Sequence, residues 1–383
     1  MKDKLIRGGM IHDAVHETPF SADILIRDGK IAAIGENLPA EDAEVIDAAG
    51  LQVYPGLVEA HGHIGLDGWA MGYEGADYNE YTDPVTPHLR ALDGLNPQDY
   101  SLKDAALGGV TTLCTGPGSS NVLGGTFAAF KPVGTCIDDM VLIPEAAMKC
   151  AFGENPKRCY RDKKITSRMS TAALLREMLF KAKEYNEKLI AAGDDASKRP
   201  PFDMRLNALL PVIRGEIPLK AHAHQANDIL TAVRIAKEFG VRLTLEHVTD
   251  GALIAEELKR ANVPLAVGPT MGQPSKIELK NKSWSTPVVL NAAGLSVSII
   301  TDSPVTEQPH LRFCAAMAIS AGMTPFDALK CITINPAKHI GVADRVGSIE
   351  VGKDADLQLT DGCLFEISTS IKRVFINGEA VKA

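Results

Sequence analysis

The sequence lacks the features that mark membrane proteins, secreted proteins and proteins that bind nucleic acid. No run of about 18 apolar residues, the minimum for a membrane span, occurs in it. Met1-Lys2-Asp3-Lys4 leads into no apolar signal segment, and the seven cysteines include no C-x-x-C pair. The 40 Lys and Arg against 48 Asp and Glu give a net charge of −8, which disfavours contact with nucleic acid and anionic membranes. We therefore expect a cytoplasmic protein with free thiols and no membrane or nucleic-acid partner.

The composition is that of a globular protein. Hydrophobic residues make up 45% of the chain and charged residues 23%, which excludes extensive disorder. At about 100–200 residues per domain, 383 residues indicate one large domain with a small one. No internal repeat or low-complexity tract is present, and no pattern specifies the quaternary state. A homo-oligomer, most simply a dimer, is expected only on general frequencies.

Both ends of the chain contain short candidate strands separated by turn dipeptides such as Asp28-Gly29 and Asn377-Gly378. Neither end can bury a stable core alone. We therefore predict that residues 1–55 and 343–383 close one small composite β-sandwich. The candidate strands are Lys4–Arg7, Ala22–Arg27, Lys30–Ile34, Glu44–Asp47, Leu51–Val53, Ala355–Leu359, Lys372–Ile376 and Glu379–Lys382.

The middle of the chain, residues 56–342, alternates strand and helix patterns. A helical pattern begins with Asn227 as the N-cap and ends at Gly240, and the β-branched run Val241–Val248 follows at once. Strand, helix and strand in this order imply parallel pairing, and about 250 residues is typical of a (β/α)8 barrel. We predict an α/β fold with a TIM-like barrel. An open doubly wound sheet is the alternative, although no G-x-G-x-x-G follows an early strand.

Metal-ligand side chains stand where four candidate strands end. Each follows an apolar run and precedes polar residues, which in a barrel indicates the C-terminal face, where active sites are built. Two histidines separated by one residue leave an extended segment on the same side, so one strand can offer two imidazoles to one cation. The residues are His61, His63, His222, His224, His247 and Asp302.

The spacing of these residues assigns them to strands one, five, six and eight. In a closed barrel strands one and eight are neighbours, so the groups can converge, whereas an open sheet would keep them apart. Converging imidazoles and a carboxylate suit a borderline divalent cation such as Zn²⁺. The remaining histidines are predicted to be structural or exposed: His12, His16, His88, His310 and His339.

The ordered set, together with the end of the chain, resembles the amidohydrolase superfamily. The H-x-H follows Pro55-Gly56-Leu57, and the closing part contains Asn335-Pro336-Ala337-Lys338 and a Gly347–Leu357 run that ends in G-K-D-A-D-L. The likeness covers the whole chain and is greatest to the imidazolonepropionase-like branch, which also holds prolidase-like dipeptidases.

The resemblance implies one or two Zn²⁺-like cations and a bridging ligand on strand four, usually a lysine carboxylated by CO₂. We predict carboxylated Lys149, which lies in an apolar segment where a charged amine would be costly. Lys131, Glu145 and Cys114 are the alternatives. By analogy with the related dipeptidases, His222 is assigned to the metal and His224 to the substrate side, and Asp302 would serve as both metal ligand and general base.

The implied function is hydrolysis of an amide, peptide-like or cyclic amide C–N bond in a small-molecule substrate through a metal-activated hydroxide. The first alternative is a mononuclear deaminase of the same superfamily. Such enzymes typically have a glutamate three residues after the strand-five histidine, where this chain has Gln225 after His222. The second alternative is a non-catalytic scaffold of the same fold.

Two groups of side chains could contact the substrate. Aromatic residues lie in the long segment after strand one, and basic and aromatic residues follow strands four and seven. A pocket wall, a carboxylate-binding subsite and ordinary packed or solvated loops all remain open for them. The residues are Trp69, Tyr73, Tyr78, Tyr81, Arg158, Tyr160, Arg161, Lys280, Lys282 and Trp284.

Overall fold

The computed structural model describes residues 2–382, apart from the side chain of Ala70. Its strands are β1 (Lys4–Ile11), β2 (Phe20–Arg27), β3 (Lys30–Gly35), β4 (Glu44–Asp47), β5 (Gln52–Pro55), β6 (Leu57–Gly62), β7 (Val110–Thr115), β8 (Leu123–Phe130), β9 (Val141–Ala151), β10 (Leu219–Ala223), β11 (Leu243–His247), β12 (Leu265–Val267), β13 (Val297–Ile299), β14 (Leu357–Thr360), β15 (Ile371–Ile376) and β16 (Glu379–Ala380).

The α-helices lie mainly in the connections between barrel strands. They are α1 (Ala91–Gly94), α2 (Tyr100–Leu107), α3 (Ile137–Met140), α4 (Glu154–Cys159), α5 (Arg168–Ala192), α6 (Met204–Ala208), α7 (Leu210–Ile213), α8 (Ala226–Phe239), α9 (Ala255–Ala261), α10 (Ser285–Ala292), α11 (Leu311–Ser320), α12 (Pro325–Cys331) and α13 (Ile334–His339). Short 3₁₀ turns lie at Gly68–Ala70, Tyr73–Gly75, Arg161–Lys163, Ala196–Lys198, Gly251–Ile254, Ile277–Leu279 and Gln308–His310.

Strands β6 to β13 form an eight-stranded sheet in sequence order that curls into a nearly closed barrel, so the predicted barrel fold is confirmed. The expectation of parallel pairing throughout is wrong for the third strand. β8 pairs antiparallel with both β7 and β9. Only residues 116–122 connect β7 to β8. A parallel crossover needs about a dozen residues or more, so this short connection makes a hairpin.

Side chains and loop backbone join the first and last strands of the barrel. The Glu59 carboxylate on β6 accepts hydrogen bonds from the Thr301 backbone N–H at 2.9 Å and from the Thr301 hydroxyl at 2.6 Å. Gln308 Nε2 donates to the same carboxylate at 2.9 Å. The His63 N–H then donates to the Ser303 carbonyl at 2.8 Å. These contacts hold the end of β6 beside the segment after β13.

The two ends of the chain meet in a second eight-stranded sheet, as predicted. β5 pairs antiparallel with β14, which joins the N-terminal strands to the C-terminal ones. β1 lies between β2 and two successive parallel partners, β4 and then β5. The sheet encloses its own hydrophobic core, which includes Ile24 and Phe375. The boundaries of the two predicted domains stay a prediction.

The α8 helix illustrates how local sequence determines a barrel helix. Ile229, Val233 and Ala236 form its buried stripe, and Gly240 ends it in the left-handed conformation at φ 68°, as predicted. The expected N-cap is wrong, because Asn227 lies inside the helix, and Gln225 occupies the cap position without a side-chain hydrogen bond.

Two further observations concern helices and thiols. Among the described residues, no helix combines the length and apolar character needed to cross a bilayer. The seven cysteines all lie within residues 2–382 and form no disulfide.

Candidate metal centre

The barrel brings the six predicted histidine and aspartate residues together at the ends of its strands. His61 ends the apolar part of β6, His222 lies on β10, and His247 ends β11. The ring centroids of His222 and His247 are 4.4 Å apart, and those of His61 and His247 are 5.1 Å apart. All five histidines of this set, His61, His63, His222, His224 and His247, are buried.

Two sets of ligand atoms lie close enough to share a cation. His222, His224 and His247 form one set, and His61, His247 and Asp302 form the other; in each set the atoms lie within 4.8 Å of one another. His247 belongs to both. His224 therefore lies as close to a cation position as His222 does, and its assignment to the substrate side stays a prediction.

Backbone carbonyls orient two of the rings. His63 Nδ1 lies 2.7 Å from the Gly116 carbonyl oxygen and His247 Nδ1 lies 2.8 Å from the Gly268 carbonyl oxygen. A carbonyl only accepts hydrogen bonds, so Nδ1 carries the proton in both rings. The unprotonated Nε2 of each ring is left to bind a cation.

A buried polar network lies behind His61. Glu246 is fully buried, and its carboxylate lies 3.1 Å from His61 Nδ1, 3.0 Å from Lys220 Nζ and 3.0 Å from His339 Nε2. Burial opposes ionisation of Glu246, but Lys220 and His339 hold its pKa well below its usual range. The ionised carboxylate accepts from His61 Nδ1 and so directs Nε2 towards the site. We did not predict this role from the sequence, although Lys220 and Glu246 are charged residues inside apolar strands.

Lys149 lies on β9, the fourth strand of the barrel, as predicted. Its side chain is fully buried, and Nζ is 3.1 Å from His61 Nε2. Burial lowers the pKa of Lys149 to about 8. Only a neutral amine reacts with CO₂, so this environment suits carbamate formation.

The three alternatives to Lys149 lie outside the clustered histidines and Asp302. Lys131 lies instead against the terminal sheet, where Nζ is 2.9 Å from Asp354 Oδ2 and 2.8 Å from Asp356 Oδ2. Cys114 lies outside both sets of clustered ligand atoms, and burial raises the pKa of its thiol to about 12. Glu145 is half-buried on β9, outside both sets of clustered ligand atoms, where its charge acts on Arg90.

Asp302 follows β13 with its backbone at φ 50°. Its Oδ1 is 3.2 Å from His63 Nε2 and 3.7 Å from His61 Nε2. Burial alone would raise the pKa of Asp302, but the surrounding imidazoles, chiefly His247, lower it. The side chain is therefore a carboxylate, which can bind a cation and accept a proton.

His222 provides the test of whether a cation fits. Both of its ring nitrogens are buried, and neither has a hydrogen-bond partner in the part of the chain that the structure describes. Leaving a buried polar atom unpaired costs about 1–3 kcal/mol. A divalent cation would satisfy one of these nitrogens, and the surrounding N and O donors are those that Zn²⁺ prefers.

Glu278 is a buried acid of the site that the sequence did not reveal. Its Oε1 lies 3.8 Å from His222 Nε2, 3.9 Å from His224 Nε2 and 2.6 Å from Lys276 Nζ. Its Oε2 accepts from the Glu154 N–H at 2.9 Å. The residue lies in a connection without strand or helix periodicity, so no pattern placed it at the centre.

A cavity of about 810 Å³ opens onto His63, His222, His224 and Asp302. Of the predicted aromatic residues, Tyr78 and Tyr81 line it, and the ring of Tyr78 stacks on His63 with centroids 5.3 Å apart. The others lie outside its lining. Trp69 packs edge-on against Tyr100, Tyr73 is exposed, and Tyr160 is buried with its hydroxyl donating to the Glu80 carbonyl.

Comparison with known proteins identifies the family. A model of the amidohydrolase family matches residues 52–381. The chain belongs to the amidohydrolase family. The crystal structure of an amidohydrolase from Thermotoga maritima MSB8 is 39% identical, with a TM-score of 0.96 and 99% of each chain covered. The predicted resemblance to the amidohydrolase superfamily and to its imidazolonepropionase-like branch is confirmed.

Two curated relatives of this amidohydrolase show how far the similarity extends. An imidazolonepropionase from Rhizobium rhizogenes is 26% identical over 386 residues, which are 91% of this chain and 87% of that protein. The protein called amidohydrolase tasK, from Hapsidospora irregularis, is 29% identical over 94% of this chain. This chain spans only 39% of the length of tasK.

Proposed function

We propose that this member of the family is a metal-dependent enzyme that hydrolyses an amide, peptide-like or cyclic amide C–N bond in a small molecule. One observation carries the proposal. The buried imidazole of His222, whose nitrogens have no partner in residues 2–382, lies among further histidines with Asp302 and Lys149 close by. Such a set of donors is costly to bury without a cation.

The same residues would hold the cation or cations. A bound Zn²⁺-like ion lowers the pKa of water to about 7 and polarises a carbonyl oxygen. Lys149 as a carbamate would supply an anionic bridging group in place of a buried ammonium. The proposed ligands are His61, His63, Lys149, His222, His247 and Asp302.

Side chains of the protein itself carry out the remaining steps of the reaction. Asp302, kept ionised by the neighbouring imidazoles, accepts a proton from the attacking water and passes it to the leaving nitrogen. A hydrogen bond between His224 Nδ1 and Thr249 Oγ1, at 2.8 Å, holds the imidazole ring in place. The ring faces the cavity, where it can stabilise the oxyanion that develops during the reaction. Tyr78, stacked on His63, covers one side of the centre.

The proposal is tested by measuring metal content and activity together. We expect elemental analysis to find two cations per chain. Removal with a chelator should lower hydrolysis of dipeptides, N-acyl amino acids or cyclic amides by more than about 100-fold, and Zn²⁺ should restore it. NMR of protein prepared with ¹³C-bicarbonate should show a labelled carbamate that is missing from Lys149→Ala. Folded protein that holds no metal and stays inactive with Zn²⁺ would favour the non-catalytic scaffold.

Deamination is the second candidate, because Glu278 supplies a buried carboxylate near His222 and His224 where the sequence offered only Gln225. However, Lys276 and the Glu154 N–H already bond its two oxygens. A deaminase would hold one cation per chain and release ammonia from an aminated ring. The metal count and an ammonia assay therefore separate the two functions.

A further inference from the structure

A second cavity, of about 400 Å³, lies at the barrel rim opposite the metal centre. Its lining includes Pro218, Leu243 and Pro264, which stand at or just before the starts of β10, β11 and β12. The metal centre is built at the other ends of the strands, where His247 ends β11. The volume falls within the range of about 300–1,000 Å³ found for small-ligand sites. This rim cavity is therefore large enough for a small molecule and separate from the metal centre.

The rim cavity is lined by basic residues without acidic ones. Its ionisable lining residues are Lys237, Arg242, Lys338 and His339, and none of its described lining residues is Asp or Glu. A cavity lined by charge of one sign concentrates ions of the opposite sign. The lining therefore favours a small anion, although the protein as a whole carries −8.

The three cationic side chains of the rim cavity are available to a ligand. Lys237, Arg242 and Lys338 are exposed, and within residues 2–382 none of them forms an ion pair. Arg242 donates through Nη1 to the Glu216 carbonyl at 3.0 Å, and its Nη2 has no partner in the same range. Lys338 lowers the pKa of Glu350, but from beyond ion-pair distance. Arginine forks and lysine point charges are the side chains with which proteins bind phosphate.

His339 adds a buried acceptor to the rim cavity. Its Nε2 lies 3.0 Å from Glu246 Oε1 and 3.4 Å from Lys220 Nζ. The carboxylate is the closer group and only accepts hydrogen bonds, so Nε2 carries the proton. Burial lowers the pKa of His339, so the ring is neutral and Nδ1 is an acceptor. Nδ1 is buried and has no hydrogen-bond partner in the described part of the chain, which is costly unless a ligand donates to it.

A ligand that satisfies this lining carries negative charge together with a hydrogen-bond donor. Inorganic phosphate has both near neutral pH, because each of its two forms keeps at least one P–OH group beside its charged oxygens. Sulfate has no O–H, and a phosphomonoester loses its last P–OH proton above about pH 6. Bicarbonate has an O–H but only one negative charge for three cations.

We infer that the rim cavity binds inorganic phosphate, whose P–OH group donates to His339 Nδ1 while its charged oxygens accept from Arg242 and Lys338. This site goes beyond the proposed hydrolase function and does not depend on it. Its inner wall is nevertheless close to the metal centre, because His339 contacts Glu246, the carboxylate that orients His61.

Isothermal titration calorimetry of the full-length, metal-loaded protein near neutral pH tests this inference. The probes are sodium phosphate, sulfate, methyl phosphate and bicarbonate. We expect phosphate to bind at least about tenfold more tightly than the other three, since each of them leaves either Nδ1 or a cation unpaired. Arg242→Met and Lys338→Met should each weaken phosphate binding about tenfold, the usual effect of losing a charge-assisted hydrogen bond.

His339→Gln tests the role of Nδ1 separately from the fold. Glutamine keeps an N–H donor for Glu246 and removes only the acceptor at the position of Nδ1. The affinity for phosphate should therefore fall to that for sulfate, while the affinity for sulfate stays the same. Equal affinities of the unmodified protein for phosphate and for any of the other three anions would overturn the inference, and so would the absence of saturable phosphate binding.

The chain provides matched controls for the charge variants. Arg234 and Lys259 are exposed residues of α8 and α9, and neither lines the rim cavity. Arg234→Met and Lys259→Met should leave the affinity for phosphate unchanged. Equal weakening by these variants and by Arg242→Met would mean that phosphate responds only to overall charge, which would overturn the inference.

A second pair of variants excludes phosphate binding at the metal centre. Arg158 and Lys282 line the cavity that opens onto that centre, not the rim cavity. Arg158→Met and Lys282→Met should leave the affinity for phosphate unchanged. Phosphate binding that is weakened by these two variants but not by Arg242→Met and Lys338→Met would overturn the inference, while leaving the proposed function intact.

Discussion

The imidazole of His61 contacts a different environment at each nitrogen. Nδ1 lies 3.1 Å from Glu246 in a network with Lys220, and Nε2 lies 3.1 Å from Lys149 at the centre. Burial, followed by the charge of Lys149, holds the pKa of His61 well below its usual value, so the ring is neutral. Glu246 therefore determines which nitrogen carries the proton and which one is free to bind a cation.

We predict that Glu246→Gln weakens metal binding by about 10–100-fold, the usual cost of changing a residue that orients a metal ligand. Glutamine keeps an acceptor for His61 but loses the charge that compensates Lys220. Competition with a chromogenic chelator measures the affinity. Glu257→Gln, at a more exposed position, is the control. Equal affinities of the two variants would show that Glu246 does not orient His61.

We predict that Asp302→Asn lowers kcat by about 10²–10⁴-fold while the metal content per chain is unchanged. Asparagine keeps a ligand oxygen but cannot accept the proton from water. Steady-state kinetics and elemental analysis of the same sample measure the two quantities. Asp344→Asn, at an exposed position, is the control. Undiminished turnover would refute the role of Asp302 as general base.

The connections after the barrel strands decide where the ligands lie. β12 ends at Val267, and Gly268 then adopts φ 139°, a conformation that favours glycine. A Cβ at Gly268 would lie 2.4 Å from the Ile300 carbonyl oxygen. The Gly268 carbonyl also accepts from His247 Nδ1. The close approach between the ends of β12 and β13 and the orientation of His247 therefore both depend on Gly268.

We predict that Gly268→Ala lowers both the melting temperature and the metal content, because the Ile300 backbone must move. Gly294 is a matched control, since it has φ 82° and a Cβ there would meet nothing within 4 Å. Gly294→Ala should lower the stability by about 1–3 kcal/mol through backbone strain alone, and its metal content should stay normal. Calorimetry and elemental analysis provide the measurements. Metal loss in both variants would mean that close approach at Gly268 is not the cause.

At the scale of the whole molecule, Lys131 links the barrel to the terminal sheet. It follows β8 and is nearly fully buried between Asp354 and Asp356, next to the start of β14. Arg345 and Lys30 also pair with Asp354, whereas Asp356 has only Lys131 as an ion-pair partner in the described chain. Removing Lys131 would leave a buried carboxylate without compensation.

We predict that Lys131→Met lowers the free energy of unfolding by about 3–5 kcal/mol. Lys372→Met is the control, because its ion pair with Asp361 is exposed and should therefore contribute little to stability. Urea denaturation of both variants measures the difference. A similar decrease in the free energy of unfolding for Lys131→Met and Lys372→Met would show that Lys131 does not couple the two sheets energetically.

The sequence by itself determined the barrel and the candidate ligands at its strand ends. His61, His222, His247 and Asp302 could be found because each is a polar residue at the end of an apolar strand, and strand ends of a barrel meet at one face. Lys149 could be proposed as the bridging group because the family resemblance implies a lysine on strand four and Lys149 lies in an apolar segment, where a charged amine is costly.

Only the tertiary structure decided the reversed direction of β8, the partners of Lys131, and the surroundings of Glu246 and Glu278. These depend on contacts between residues far apart in the chain, such as Lys131 with Asp356, 225 positions apart, and Glu154 with Glu278, 124 positions apart. Periodicity reports which face of a strand or helix is buried, but not which distant side chain lies opposite. These hydrogen bonds and ion pairs form only when the chain has folded into the barrel.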